Sequence, residues 1–136
     1  MAALEWAVQE ARLRGGSVHA VMAWHRIHVY GETLGLGLPH DADEALASAA
    51  GVEATWLADQ TVSLDVPTTW EAVEGHPAWV LVGAAEKADL LVVGSRGHGG
   101  FVAMLLGSVS HHVLAHARCP VVVVPDPQRR DDANAA

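Results

Sequence analysis

A chain of 136 residues, 51% of them apolar, is long enough to build one domain around a buried core. Sixteen acidic residues against eight basic ones give a formal net charge of −8, which argues against the basic faces that nucleic acid and acidic membranes require. The single cysteine, Cys119, rules out a disulfide framework within the chain and suits a reducing cytoplasm, where it reads as a small apolar filler. No apolar run approaches the ~20 residues of a membrane span. The opening MAALEWAVQEARLRGG carries Glu5 and Glu10 and lacks the basic start of a signal peptide. The expectation is a cytoplasmic protein with neither a nucleic-acid nor a membrane partner.

The chain then alternates. Ala2–Arg14 places Leu4, Val8, Ala11 and Leu13 near helical spacing, and Gly15-Gly16 ends that helix. Ser17–Trp24 reads as a strand. Residues 25–40 are glycine-rich (Gly31, Gly35, Gly37) and read as an ordered or mobile loop. A second helix opens on Asp41, Asp43 and Glu44, whose charges suit the helix dipole, and runs to about Leu64. Pro67–Val73 alternates like a strand near a sheet edge. His76–Lys87 is a third helix, with Pro77 in its tolerant first turn. Leu90–Val93 and Val121–Val124 are apolar on both faces, as buried parallel strands are. The polar stretch 126–136 reads as a disordered tail. Helices alternating with strands at this spacing imply an α/β fold over residues 1–125: an open parallel sheet with helices on both faces.

Between the last two strands lies the most specific chemistry. The turn Gly94-Ser95-Arg96-Gly97-His98-Gly99-Gly100 begins at the carboxyl end of a strand, where open α/β sheets bind ligands. Phosphate oxygens need several N–H donors converging on one point, and glycine lets the backbone come close enough to supply them. Gly107-Ser108 follows Gly97 with nine residues between. Ser108 is a good N-cap for a helix over Val109–Ala117, with Ser110 in its first turn. These residues are the candidate nucleotide site, with Arg96 and His98 within reach of a phosphate. The bland alternative is a set of glycines that only permits a tight turn. There is no Gly-Lys-Ser/Thr of a Walker A loop and no dinucleotide fingerprint after the first strand.

The pattern Gly94-x2-Gly97-x9-Gly107-Ser108, followed by Cys119-Pro-Val-Val-Val-Val, closely resembles the nucleotide-binding branch of the universal stress protein family. ALEWAVQEA and VEGHPAWVLVGAAEKADLLVVGSRGHGG extend the resemblance across residues 2–125. The resemblance implies a five-stranded parallel sheet in order 3-2-1-4-5. It also implies ATP or AMP, with Mg2+ as an accompanying ion, on Gly94, Gly97, Gly107, Ser108, Val109 and the backbone between. Ala23 takes a place that touches adenine in the family. Val121–Val124 takes the place of the strand through which members form homodimers. The family opens with an apolar strand ending in an aspartate that contacts adenosine, whereas this sequence starts at the helix after it. Two expectations follow: either Met1 is internal to a longer chain, or the sheet closes on four strands by joining the Ser17 and Leu90 strands.

The expected role is a non-catalytic, regulatory module of the stress response that binds an adenine nucleotide. Two alternatives stand beside it. One is a dimerisation or partner-binding module unable to hold the nucleotide. The other is a slow ATP hydrolase, although no base, Walker lysine or carboxylate pair for Mg2+ is apparent near the loops. His111, His112 and His116 read as surface histidines, because no third ligand has a zinc spacing. Trp6, Trp24, Trp56, Trp70 and Trp79 fall one per element and read as core and rim packing.

Overall fold

The computed structural model describes residues 2–24, 51–52, 55, 65–95 and 106–125. The elements are α1 (Ala2–Arg14), β1 (Val18–Trp24), β2 (Thr68–Glu74), α2 (Pro77–Ala85), β3 (Leu91–Gly94), α3 (Ser108–His116) and β4 (Val121–Val124). Gly51, Val52 and Thr55 are helical and belong to the stretch read as the second helix. The rest of that stretch, the loop at 25–40 and the tail at 126–136 lie outside the described residues.

Helix α1 ends where the sequence stops supplying side chains. Gly16 donates its amide to the Ala11 carbonyl (2.8 Å) and Gly15 donates to that of Arg12 (3.5 Å). Gly15 takes the positive φ of 66° that this double-bonded helix end needs. At its carboxyl end α1 is also tied to the approach to β2. The Arg12 guanidinium grips the Asp65 carboxylate through Nε (2.9 and 3.1 Å) and a terminal nitrogen (2.6 Å). Hydrogen bonding to Arg12 holds the Asp65 carboxyl below its ordinary value. Helix α2 starts on His76, whose Nδ1 accepts from the Ala78 amide (3.3 Å), with Pro77 as its first residue.

All strand pairing is parallel. β1 pairs with β2 in the register Val18↔Thr68 through Trp24↔Glu74, and β3 pairs with β4 from Leu91↔Val121 to Gly94↔Val124. On β2, Thr69, Glu71 and Glu74 are exposed, as befits an edge. α1 packs on β1, β3 and β4; α2 and α3 pack on each other and reach β1 and β4 respectively. The helices thus form two layers, and the chain is α/β with helices on both faces. Among the described residues the buried apolar core is Val8, Val66, Ala78, Ala85, Val93 and Val113. Val121–Val124 are half-buried, so of the two strands read as buried only β3 contributes to this core.

The four strands do not form one sheet. β1–β2 and β3–β4 are separate two-stranded ladders, and β1 does not pair with β3. The expected four-strand closure is therefore corrected. Joining β1 to β3 would require two strands held apart beneath a common helix to collapse onto each other, at the expense of α1 packing. The ladder geometry shows which groups this leaves over. Alternate residues of a parallel strand direct both main-chain groups to the same neighbour. Val18 donates to the Pro67 carbonyl (2.9 Å) and Trp24 accepts from the Gly75 amide (2.7 Å). Val18, Ala20, Met22 and Trp24 thus serve β2, and the amides and carbonyls of His19, Val21 and Ala23 face the opposite edge. In β3, Leu91 donates to the Pro120 carbonyl (3.0 Å) and Ser95 to that of Val124 (2.8 Å). Val92 and Gly94 therefore turn their main-chain groups away from β4.

Candidate nucleotide site

Two bonds fasten the carboxyl end of β3 to the amino end of α3, and a third ties that end to β4. The Gly107 amide donates to the Ser95 carbonyl (2.6 Å), which closes the base of the glycine loop. The Ser95 amide donates to Val124 (2.8 Å), which fixes that base on β4. The Ser110 hydroxyl donates to the Gly94 carbonyl (2.5 Å). Ser110 is 4% exposed, so its hydroxyl is shielded and spent on the strand end.

One sequence expectation is corrected here. The N-cap of α3 is Gly107, in an extended conformation, and no side chain caps the helix; Ser108 is its first residue and is exposed. The physical reason lies in the Gly107–Ser95 bond, which places Gly107 at the junction and rotates Ser108 into the first turn. The His111 amide returns to the Gly107 carbonyl (3.0 Å). The amides of Ser108, Val109 and Ser110 are the remaining first-turn donors of a nine-residue helix. They carry the positive end of the helix dipole at the carboxyl end of a parallel strand, which is the chemistry of an anion site.

The structure thus brings together Gly94, Ser95, Gly107, Ser108, Val109 and Ser110. Ala23 lies near the carboxyl end of β1, on the edge turned away from β2. Arg96, Gly97, His98, Gly99 and Gly100 lie outside the described residues. Among the described residues no group of three His, Cys, Asp or Glu is placed to hold a metal, and no helix is long and apolar enough to cross a membrane.

Sequence reasoning missed the seam between α2 and α3. His112 and His116 stack at 4.1 Å with an interplanar angle of 18°. Trp79 meets His112 edge-on at 4.4 Å and His116 at 5.3 Å. His116 Nδ1 donates to the His112 carbonyl (2.9 Å), while His112 Nε2 is shielded without a hydrogen-bond partner. Burial, then the neighbouring His116, His76 and His111, pushes the His112 pKa below its ordinary 6.5. The i, i+4 spacing of the histidines was visible in the sequence. Their contact with Trp79 was not, because it crosses two helices.

The model of the universal stress protein family matches residues 1–125. The chain belongs to the universal stress protein family. It is 44% identical over 117 residues to the universal stress protein Rv2005c of Mycobacterium tuberculosis, covering 86% of this chain and 38% of that relative. The chain therefore spans less than two-fifths of that relative's length. Among solved structures, a universal stress protein in complex with cAMP aligns with a TM-score of 0.63 at 23% identity, over 90% of this chain and 86% of that one. A universal stress protein family protein from Arabidopsis thaliana with AMP bound aligns with a TM-score of 0.55 at 20% identity, over 98% and 83%. At these identities the two structures speak to the α/β fold alone.

Proposed function

We propose that this chain binds an adenine nucleotide, ATP or AMP, as a regulatory ligand of the stress response rather than as a substrate. The observation that carries the reading is the clasp between Ser95 and Gly107, which holds the uncapped first turn of α3 at the carboxyl end of β3. Phosphate oxygens would accept from the Ser108 and Val109 amides and the exposed Ser108 hydroxyl. Arg96, Gly97, His98, Gly99 and Gly100 would complete the site, with Mg2+ accompanying the triphosphate. Ala23 borders the space for the base. The cAMP and AMP carried by two structural neighbours support this ligand class. The amides and hydroxyl of the clasp provide binding without a general base, which supports a ligand role over hydrolysis. A cytoplasmic homodimer completes the reading, with the outer edge of β4 as the contact.

A second reading follows from the divided sheet: a dimerisation or partner-binding module that holds no nucleotide. Calorimetric titration with ATP and with AMP separates the two. Saturable binding that Gly107→Val abolishes, with the circular-dichroism spectrum retained, is the expected result. Absence of heat with either nucleotide would leave the second reading.

A further inference from the structure

The seam between α2 and α3 holds chemistry that the nucleotide site does not use. Trp79 on α2 stands edge-on to the stacked rings of His112 and His116 on α3. The two rings meet a proton differently. His116 is exposed, and its bond from Nδ1 to the His112 carbonyl leaves Nε2 to be protonated in water. His112 has no such outlet. An imidazolium donates from both nitrogens, and His112 Nε2 is shielded with no partner among the described residues. A proton on that ring leaves a charged N–H without an acceptor for as long as the seam stays shut.

The surroundings add to that penalty. His116 and His111 on α3 and His76 at the start of α2 are the titratable groups that act on His112, and each is a cation once protonated. The elements joined to α3 supply no counter-charge: Pro77–Ala85 of α2, Leu91–Gly94 of β3 and Val121–Val124 of β4 contain no acid or base. Burial and these neighbours hold His112 below its ordinary 6.5. Trp79 is 56% exposed, so the seam lies at the surface and a turn of the His112 side chain brings its ring to water.

We propose that the Trp79–His112–His116 cluster is an acid-sensitive latch, which holds α3 on α2 while His112 is neutral and releases it when His112 takes a proton. Rotation of the charged ring to water breaks both its stack on His116 and its contact with Trp79. The effect reaches the other end of the helix. α3 has nine residues, and a helix shorter than about 12–15 residues does not persist in water without packing. Loss of the α2 contact therefore frays α3, the first-turn amides of Ser108 and Val109 included. Acid would thereby weaken phosphate binding, a step that rests on the nucleotide reading given above; the latch itself does not.

The test follows residue-resolved amide exchange of the full chain without nucleotide, from about pH 7.5 to about pH 5.5, with rates corrected for the intrinsic pH dependence of exchange. The released ring binds its proton near the ordinary 6.5 and the latched ring only below it. Protection of the α3 amides, His111 and Ala117 among them, should therefore fall by up to about tenfold over that range. The His112 ring signals, followed by NMR on the unaltered chain, should titrate in step with that loss. His112→Phe keeps an aromatic ring that cannot titrate, and should leave α3 protection level with pH. Dilute urea separates local release from unfolding of the whole chain, because only the latter exposes much surface. The α3 rates should hardly respond to it. Rates that climb with urea as steeply as those of the β1–β2 ladder would overturn the latch, and so would α3 protection that stays level while His112 titrates. At about pH 5.5, saturating AMP should restore α3 protection. AMP that binds without restoring it would refute the coupling to the site; AMP that does not bind would strike the nucleotide reading and leave the latch to the exchange data.

Discussion

Ser108 and Ser110 lie two residues apart in one helical turn, and the structure gives their hydroxyls opposite duties. Ser110→Ala deletes the bond to the Gly94 carbonyl, in a place where Ser110 is only 4% exposed and water cannot readily replace it. Leaving a shielded carbonyl without its donor costs about 1–3 kcal/mol. For a chain of this size each kcal/mol moves the melting temperature by about 4 °C, so a fall of roughly 4–12 °C is expected. The urea midpoint should shift with the slope m unchanged, since the folded and unfolded surfaces are the same. Ser108→Ala removes an exposed hydroxyl that makes no cap bond to its helix and bonds nothing among the described residues. Its stability should stay within about 0.5 kcal/mol of the parent. Its affinity for ATP should fall about tenfold, the effect of losing one hydrogen bond to a charged phosphate of about 1.4 kcal/mol. Paired urea melts and ATP titrations of the two variants decide the matter. If Ser110→Ala keeps its melting midpoint and weakens ATP instead, the Ser110 hydroxyl serves the ligand and the strand-to-helix staple is refuted.

Three further outcomes follow from the packing. Gly75 ends β2 with φ of 151°, and a Cβ there would lie 2.8 Å from Val80 Cγ2. Gly75→Ala should therefore destabilise by about 1–3 kcal/mol in chemical denaturation, and adding Val80→Ala should relieve only the contact. His112 has its pKa pushed below 6.5, so its folded neutral form resists a proton that the unfolded chain accepts. Stability should be level above about pH 6.5 and fall as the pH drops below it; His112→Phe should flatten that limb in urea melts, and an unchanged slope would absolve the histidine. Asp65 has its pKa held below 3.8, so the Arg12 pair contributes fully above that pH and is lost as the pH falls through the lowered value. Asp65→Asn should remove that acid limb and change little at pH 7 in a melt, because both partners are exposed.

The strands were legible almost to the residue. Ser17–Trp24, Pro67–Val73 and Leu90–Val93 appear as Val18–Trp24, Thr68–Glu74 and Leu91–Gly94, and Val121–Val124 stands unchanged. Their β-branched runs and glycine boundaries are local signals, and local signals survive without tertiary context. The junction was legible for the same reason: Gly94, Gly107 and Ser108 sit where a strand stops and a helix starts. What escaped is non-local. The Ser110–Gly94 bond joins residues sixteen apart, and nothing in the pattern of a helix first turn says which serine points inward. The Trp79–His112–His116 stack depends on the crossing of α2 and α3. The sequence also left open whether the sheet would close on four strands, because closure depends on what α1 covers rather than on any strand's composition.

The bond between the Gly107 amide and the Ser95 carbonyl has a bearing on how this chain can change. It fixes the two ends of the intervening stretch, residues 96–106, independently of what that stretch contains. Lengthening such a segment costs little in chain entropy, about 0.6 kcal/mol for each doubling. Loop sequence and length are thereby uncoupled from the position of α3. The sequence can change between residues 96 and 106 while the helix, and the donors at its start, stay where they are.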